Sequence, residues 1–200
     1  MKNALVNGMI AMAFILTAAH CTHAQSLHGL HIGEDQSFLE KLGAPDAVEK
    51  YKSYVVRKWT LANGNELSAT VNSAGKIVYL ESDWNGNDDA TGSDLNELRF
   101  GSTSLADLRR RFGSNGFMFK GRGGVLNTPD GIVMINAYDT ASVVVTFFTK
   151  VVDSTGKSKN SNPAADRAKL DALSLADGGY AKSEWGERVY DPHYKKTEWQ

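Results

Sequence analysis

The sequence predicts an α+β fold. It reads as two tandem units, each a capped helix (or helix pair) followed by an antiparallel β-meander, with a C-terminal helix and tail. Three observations point there. A serine followed three residues later by an acid heads an apolar stripe twice, at Ser37-Phe38-Leu39-Glu40 and at Ser104-Leu105-Ala106-Asp107. Each stripe is followed by short apolar runs bounded by turn residues, the pattern of hairpin-linked strands. The two stretches also correspond along their length. At an offset of 67, Asn63-Gly64 falls on Asp130-Gly131, Asn72 on Asp139 and Leu80 on Phe147. Leu42-Gly43 matches Phe112-Gly113 at an offset of 70. Repetition at one spacing is the mark of duplication.

The chain begins with Lys2, an apolar run from Gly8 to Ala19 and a small-x-Ala site at Thr22-His23-Ala24. Residues 1–24 therefore read as a secretory signal peptide, too short in its apolar part to span a bilayer. Cys21 is the only cysteine and leaves with it. His20 stands where a lipid-attachment site wants Gly, Ala or Ser, which disfavours lipidation. The mature protein then folds without disulfides, at a periplasmic or secreted address, with no stable membrane insertion.

The first unit spans residues 25–83. Serine oxygen at Ser37 would accept a free backbone N–H, and Phe38, Leu39 and Leu42 form the stripe before Gly43-Ala44-Pro45. A second short helical turn fits Asp46 to Tyr51. Strands are expected at Ser53 to Leu61, over the alternation of Leu67, Ala69 and Val71, and from Lys76 to Ser82. Residues 84–97 form a polar connector. The second unit, 98–152, carries Leu105, Leu108 and Phe112 at helical spacing with Gly113 as the stop. Its runs Ile132 to Ala137 and Val143 to Phe148 are apolar on both faces, so they should lie more centrally than their first-unit equivalents. A flexible linker (153–162) leads to Asn162-Pro163, a cap and first-turn proline opening a helix through Leu170 and Leu173 to Gly178-Gly179. That helix and an aromatic tail with Tyr180, Trp185, Tyr190, Tyr194 and Trp199 make up residues 163–200.

Motifs for chemistry are weak. Thr155-Gly156-Lys157-Ser158 resembles the end of a phosphate loop, but Val151 stands where its first glycine belongs. Gly121-Arg122-Gly123-Gly124 reads as a tight loop. Asp83, Asn85, Asn87, Asp89 and Asp94 match calcium-loop positions, yet Asp88 replaces the turn glycine and Asp94 the reaching glutamate. His28 and His31 have no cysteine or carboxylate at ligand spacing. No G-x-S-x-G elbow is present, and no carboxylates pair by spacing. No metal, no cofactor and no enzyme activity are therefore expected.

Charge is polarised. Leu98 to Lys150 holds seven basic and three acidic residues, against six and twelve from His28 to Glu97. Arg109, Arg110, Arg111, Lys120 and Arg122 make the basic side, which reads as solvated faces or as a binding surface. Nucleic acid is disfavoured by the address and by an overall net charge of −1.

With the repeat in view, Gly29-Leu30-His31-Ile32-Gly33, a capped helix, Leu42-Gly43-Ala44-Pro45 and Trp59 ahead of a meander resemble the SmpA/OmlA (BamE-like) module. Two copies in tandem resemble the β-lactamase inhibitory protein architecture, over Leu27 to Val152. The resemblance implies a cell-envelope protein whose sheets form a concave protein-binding face. The chain lacks the lipid-attachment context of the one and the disulfides of the other, so no residue role transfers. The expected function is a non-enzymatic protein-binding module whose partner is another protein of the envelope or secreted space. Its anchors would be Trp59, Tyr79, Trp84, Phe119, Arg122 and Tyr138, since aromatic and arginine side chains dominate such faces. The alternative is a small-ligand or glycan binder using the same aromatics, with the tail as a lid. A hydrolase comes third.

Overall fold

The structure, a computed structural model, describes residues 25–95, 97–140, 143–151 and 167–196. A short hairpin, β1 (Ser26–Leu27) and β2 (Leu30–His31), leads into a 3-10 helix at Gln36–Leu42. A meander of β3 (Ala47–Tyr51), β4 (Tyr54–Thr60), β5 (Glu66–Val71) and β6 (Ile77–Asp83) follows. Then come helix α1 (Leu105–Phe112) and strands β7 (Phe117–Phe119), β8 (Val125–Thr128), β9 (Gly131–Asp139) and β10 (Val143–Val151). Strand β11 (Lys169–Asp177), helix α2 (Gly178–Trp185) and β12 (Arg188–Tyr190) complete the described chain.

Apart from the β1–β2 hairpin, every strand joins one antiparallel sheet in the order β12-β7-β9-β10-β11-β6-β5-β4-β3, with β8 sharing the free edge of β9. The two meanders do not pack as separate helix-capped units. They meet edge to edge through β11, which pairs with β10 on one side and β6 on the other.

This overturns the α+β expectation: the protein is a mostly antiparallel β fold with short helices. The stretch from Leu170 to Leu173 belongs to a strand, not a helix. A register shift opposite Phe148 and Thr149 leaves Asp171 as an extra residue in β11, so Leu170 and Leu173 join the same core at a spacing of three, which in sequence reads as a helical stripe. Asp46 to Tyr51 also lacks a helix, because Val48 and Lys50 lie in the edge strand β3 against β4. The expected order of burial changes with it. β6 and β10 are equally central, each one strand from the middle. The signal-peptide region, the linker and the Asn162-Pro163 cap lie outside the described residues.

One face of the sheet carries the main core. Ala69, Leu80, Leu175, Val145 and Tyr138 lie in register across β5, β6, β11, β10 and β9, and all are nearly fully buried. The 3-10 helix adds Leu39, and α1 adds Leu108 and Phe112, whose ring lies 4.5 Å from that of Tyr138 and 5.3 Å from that of Phe147. Ring pairs at such distances add to the area they bury.

Helix α1 starts as its sequence predicts. Ser104 Oγ accepts from the Asp107 N–H, and the Asp107 carboxylate accepts from the Ser104 N–H, a complete capping box. The Ser104 hydroxyl also donates to Asp107 Oδ2 at 2.6 Å, and this bond first, then the Ser104 N–H and Arg110, pull the Asp107 carboxyl down to about 2. Gly113 ends the helix in the left-handed conformation. The first unit differs: its cap is Asp35, whose Oδ1 accepts from the Ser37 N–H, and Ser37 lies inside the 3-10 turn. Urea denaturation should therefore show Ser104→Ala losing about 1 kcal/mol. Asp35→Ala should fall with it, and Ser37→Ala should stay within about 0.5 kcal/mol of wild type. A loss at Ser37 equal to that at Ser104 would contradict the cap assignment.

Candidate functional site

The opposite face of the sheet is built differently. Lys58, Ser68, Glu81, Ser174, Thr146 and Ala137 stand in one row across β4, β5, β6, β11, β10 and β9. The neighbouring row runs Thr70, Tyr79, Ala176 and Val144. On the other side lie Glu66, Asp83, Ala172, Phe148 and Ile135. Polar groups thus cross the middle of a sheet whose other face is apolar. Thr146 and Ser174 are 3% and 0% exposed; the Thr146 hydroxyl oxygen has no hydrogen-bond partner among the described residues, and the Ser174 hydroxyl stands beside the Tyr79 phenol. A buried hydroxyl left without a partner is costly.

Over this face the chain builds a wall. Asp177 ends β11 and caps α2 by accepting from the N–H groups of Gly179 and Tyr180, so α2 turns directly back across the sheet. Its Ala181 is buried against the sheet, and Tyr180 and Trp185 pack beside it. The rings of Trp185 and Tyr79 meet edge to face at 5.6 Å, and those of Trp185 and Phe119 at 5.2 Å. Arg122 Nη2 donates to the Glu184 carbonyl at 2.8 Å, and Lys52 pairs with the Glu184 carboxylate at 2.7 Å. The loop after β7 is thereby tied to α2, and α2 to the β3–β4 turn.

Wall and floor enclose a cavity of about 280 Å³. Tyr79, Glu81, Thr146, Ala137, Ile135 and Phe148 come from the strands beneath. Phe117, Phe119, Trp185, Arg122 and Leu126 are among the residues around and above them. The Tyr79 hydroxyl donates to Glu81 Oε2. Burial, and then the nearby Glu81 charge, push the Tyr79 phenol well above its ordinary value. Burial also raises the Glu81 carboxyl, against the Tyr79 hydrogen bond, which lowers it. Asp83, next on the same face, is raised to about 7 by burial and by the charges of Glu81, Glu66 and Asp171, with Lys58 opposing. Glu81 forms no ion pair among the described residues. The arrangement can hold a small molecule with an apolar body and a polar head.

Of the six anchors expected from sequence, the structure gathers Tyr79, Phe119 and Arg122 at this cavity. Trp59 lies in the core of the other face, 5% exposed, its indole donating to the Gly43 carbonyl at 3.2 Å. Tyr138 is fully buried there, its hydroxyl donating to the Ser114 carbonyl at 2.9 Å. Trp84 packs against the same core, its ring over Gly101, where any side chain would collide with it. Glu81, Thr146, Phe148 and Trp185 were missed. Glu81 and Thr146 carried a signal, as polar residues at inward positions of apolar strands.

The candidate calcium loop is closed by its own side chains. Asn85 accepts from the Asn87 N–H, Asp88 accepts from the Ala90 N–H, and Asn65 donates to the carbonyls of Asp88 and Ala90. The His28 ring lies against Gly92, with Nε2 3.1 Å from Ser82 Oγ. Among the described residues, no group of three or more His, Cys, Asp or Glu side chains is placed to hold a metal ion. Nor is any helix among them long and apolar enough to cross a membrane.

No family model matches the chain, so the BamE-like resemblance rests on its short motifs alone, and no curated protein matches it. Two solved structures are similar in part. One is a DUF4309 family protein from Bacillus subtilis, at 15% identity over 74% of this chain and 82% of that one, with a TM-score of 0.44. The other is an extracellular protein containing an SCP domain from Bacillus anthracis, at 10% identity and a TM-score of 0.49. This chain is covered over 98% of its length and spans 56% of that protein.

The raised Asp83 fixes a pH dependence. Because its folded value of about 7 exceeds the ordinary 3.8, the folded state holds this proton more tightly than the unfolded state. The stability it contributes is complete below the unfolded value and is lost as pH rises through about 7. Asp83→Asn should therefore gain on wild type at mildly alkaline pH relative to mildly acidic pH, in urea denaturation at both. An equal difference at the two pH values would refute the assignment.

Proposed function

We propose that the protein is an extracytoplasmic binding module that takes a small, largely apolar molecule into the cavity between the sheet, the segment from β7 to β8, and Trp185. The observation that carries this reading is the cavity itself. It is lined by aromatic rings and contains a carboxyl without a cation and a buried hydroxyl without a partner. Pockets that hold small molecules are mostly apolar with a few convergent polar groups, and about 280 Å³ suits a ligand of one ring or a short chain. The N-terminal signal pattern of residues 1–24 supports the address.

Saturation-transfer NMR with toluene, phenol and benzyl alcohol tests the site. Leu126, 49% exposed at the cavity, can be enlarged at little cost to folding. Wild type should give saturable binding of at least one probe, and Leu126→Trp should weaken it about tenfold by filling the entrance. Binding unchanged in Leu126→Trp, or no binding at all, would sink the reading.

A second reading, docking of a partner protein, is favoured by a separate observation. Met118, Val125, Val189 and Tyr190 are each about half exposed and line one groove at the β12 end of the sheet. Exposed apolar surface gathered in one place marks interaction sites. A partner cross-linked from envelope extract should be lost with Val125→Lys and Val189→Lys together; one retained by that variant binds elsewhere.

A further inference from the structure

Resting on the cavity reading, we infer that the ligand carries an amine, bound as an ammonium by the Glu81 carboxylate and the Thr146 hydroxyl, on an apolar or aromatic body packed among Tyr79, Phe119, Phe148 and Trp185. Two independent features support this. Glu81 lines the cavity with one oxygen already accepting from Tyr79, and no Lys, Arg or His is within ion-pair distance of its carboxylate among the described residues. Thr146, on the same row, lines the same cavity and keeps a buried hydroxyl without a partner among the described residues. An ammonium has several N–H donors and no acceptor, so it can serve a carboxylate and a hydroxyl oxygen together. The surrounding charges select the same sign. Asp83 on β6, Glu66 on β5 and Asp171 on β11 are acidic, and Lys58 on β4 is the opposing cation acting on this cluster. Arg122, at the cavity wall, directs Nη2 away to the Glu184 carbonyl. Ring faces favour a cation over an anion as well. A carboxylate ligand would meet Glu81 as a like charge, and a neutral alcohol would leave it without a counter-charge.

Isothermal titration calorimetry near neutral pH with benzylamine, benzyl alcohol and benzoate separates these ligands, which share one body. Benzylamine should bind wild type about tenfold or more tighter than the other two, the size of a charge-assisted hydrogen bond. Glu81→Gln, close in shape, should collapse that preference, and Thr146→Val should weaken benzylamine severalfold. If Glu81→Gln fails to fold, as read by thermal melting, the wild-type ranking alone decides. A ranking with benzyl alcohol or benzoate equal to benzylamine, or a preference that survives Glu81→Gln, would overturn the amine assignment while leaving the cavity reading in place. No binding of any of the three overturns both.

Discussion

Strand β11 is the constraint on which the rest of the structure depends. It fills the gap between β6 and β10, so Leu175 stands between Leu80 and Val145 on one face and Ser174 between Glu81 and Thr146 on the other. A slip of one residue would exchange the two faces, placing Ser174 in the main core and Leu175 against the cavity floor. The apolar side excludes that slip, since Leu173 and Leu175 are buried among side chains from the neighbouring strands and the helices. Register chosen by the core is therefore what assembles the polar row on the far side.

That polar row works against stability. Thr146, Ser174 and Glu81 replace apolar contacts in the middle of a sheet, and the Thr146 hydroxyl lacks a partner among the described residues. The protein offsets this on the other face, where rings from Phe112, Tyr138 and Phe147 interlock above the strands. The two faces differ in kind: one is apolar across the sheet, and the other mixes a smaller apolar cluster with the polar row. Because α2 is capped by the last residue of β11, the wall of the cavity is fixed to the same strand that sets the register.

Much of the local structure was legible in the sequence. The capping box of α1, the turn at Asn63-Gly64 and the strands around Val55, Ala69, Leu80, Ile135 and Val145 follow from local pattern, because capping and half-buried alternation are properties of a few neighbouring residues. Fold class was not legible, because it turns on where β11 goes. Leu170 and Leu173 satisfy a helical spacing as well as a bulged strand that turns both to one face, and only tertiary pairing decides between them. The anchors divided for a related reason. Trp59 and Tyr79 both sit on strands, and the face each one takes depends on its cross-strand partner, Leu67 for the first and Thr70 for the second. Residue type told that aromatics matter; register told which of them reach a cavity.

The central position of β11 also has a consequence for biogenesis. Strand β6 is complete long before Lys169 to Asp177 is made, β10 only shortly before, and both keep an open edge until then. An unpaired apolar edge is a template for joining another chain, and β10 presents Val143, Val144, Val145 and Phe147 along its length. Emergence from the ribosome or passage across a membrane thus leaves two half-sheets waiting on a single late segment. The polar side chains at Glu81 and Thr146, costly in the finished sheet, interrupt those edges during the wait.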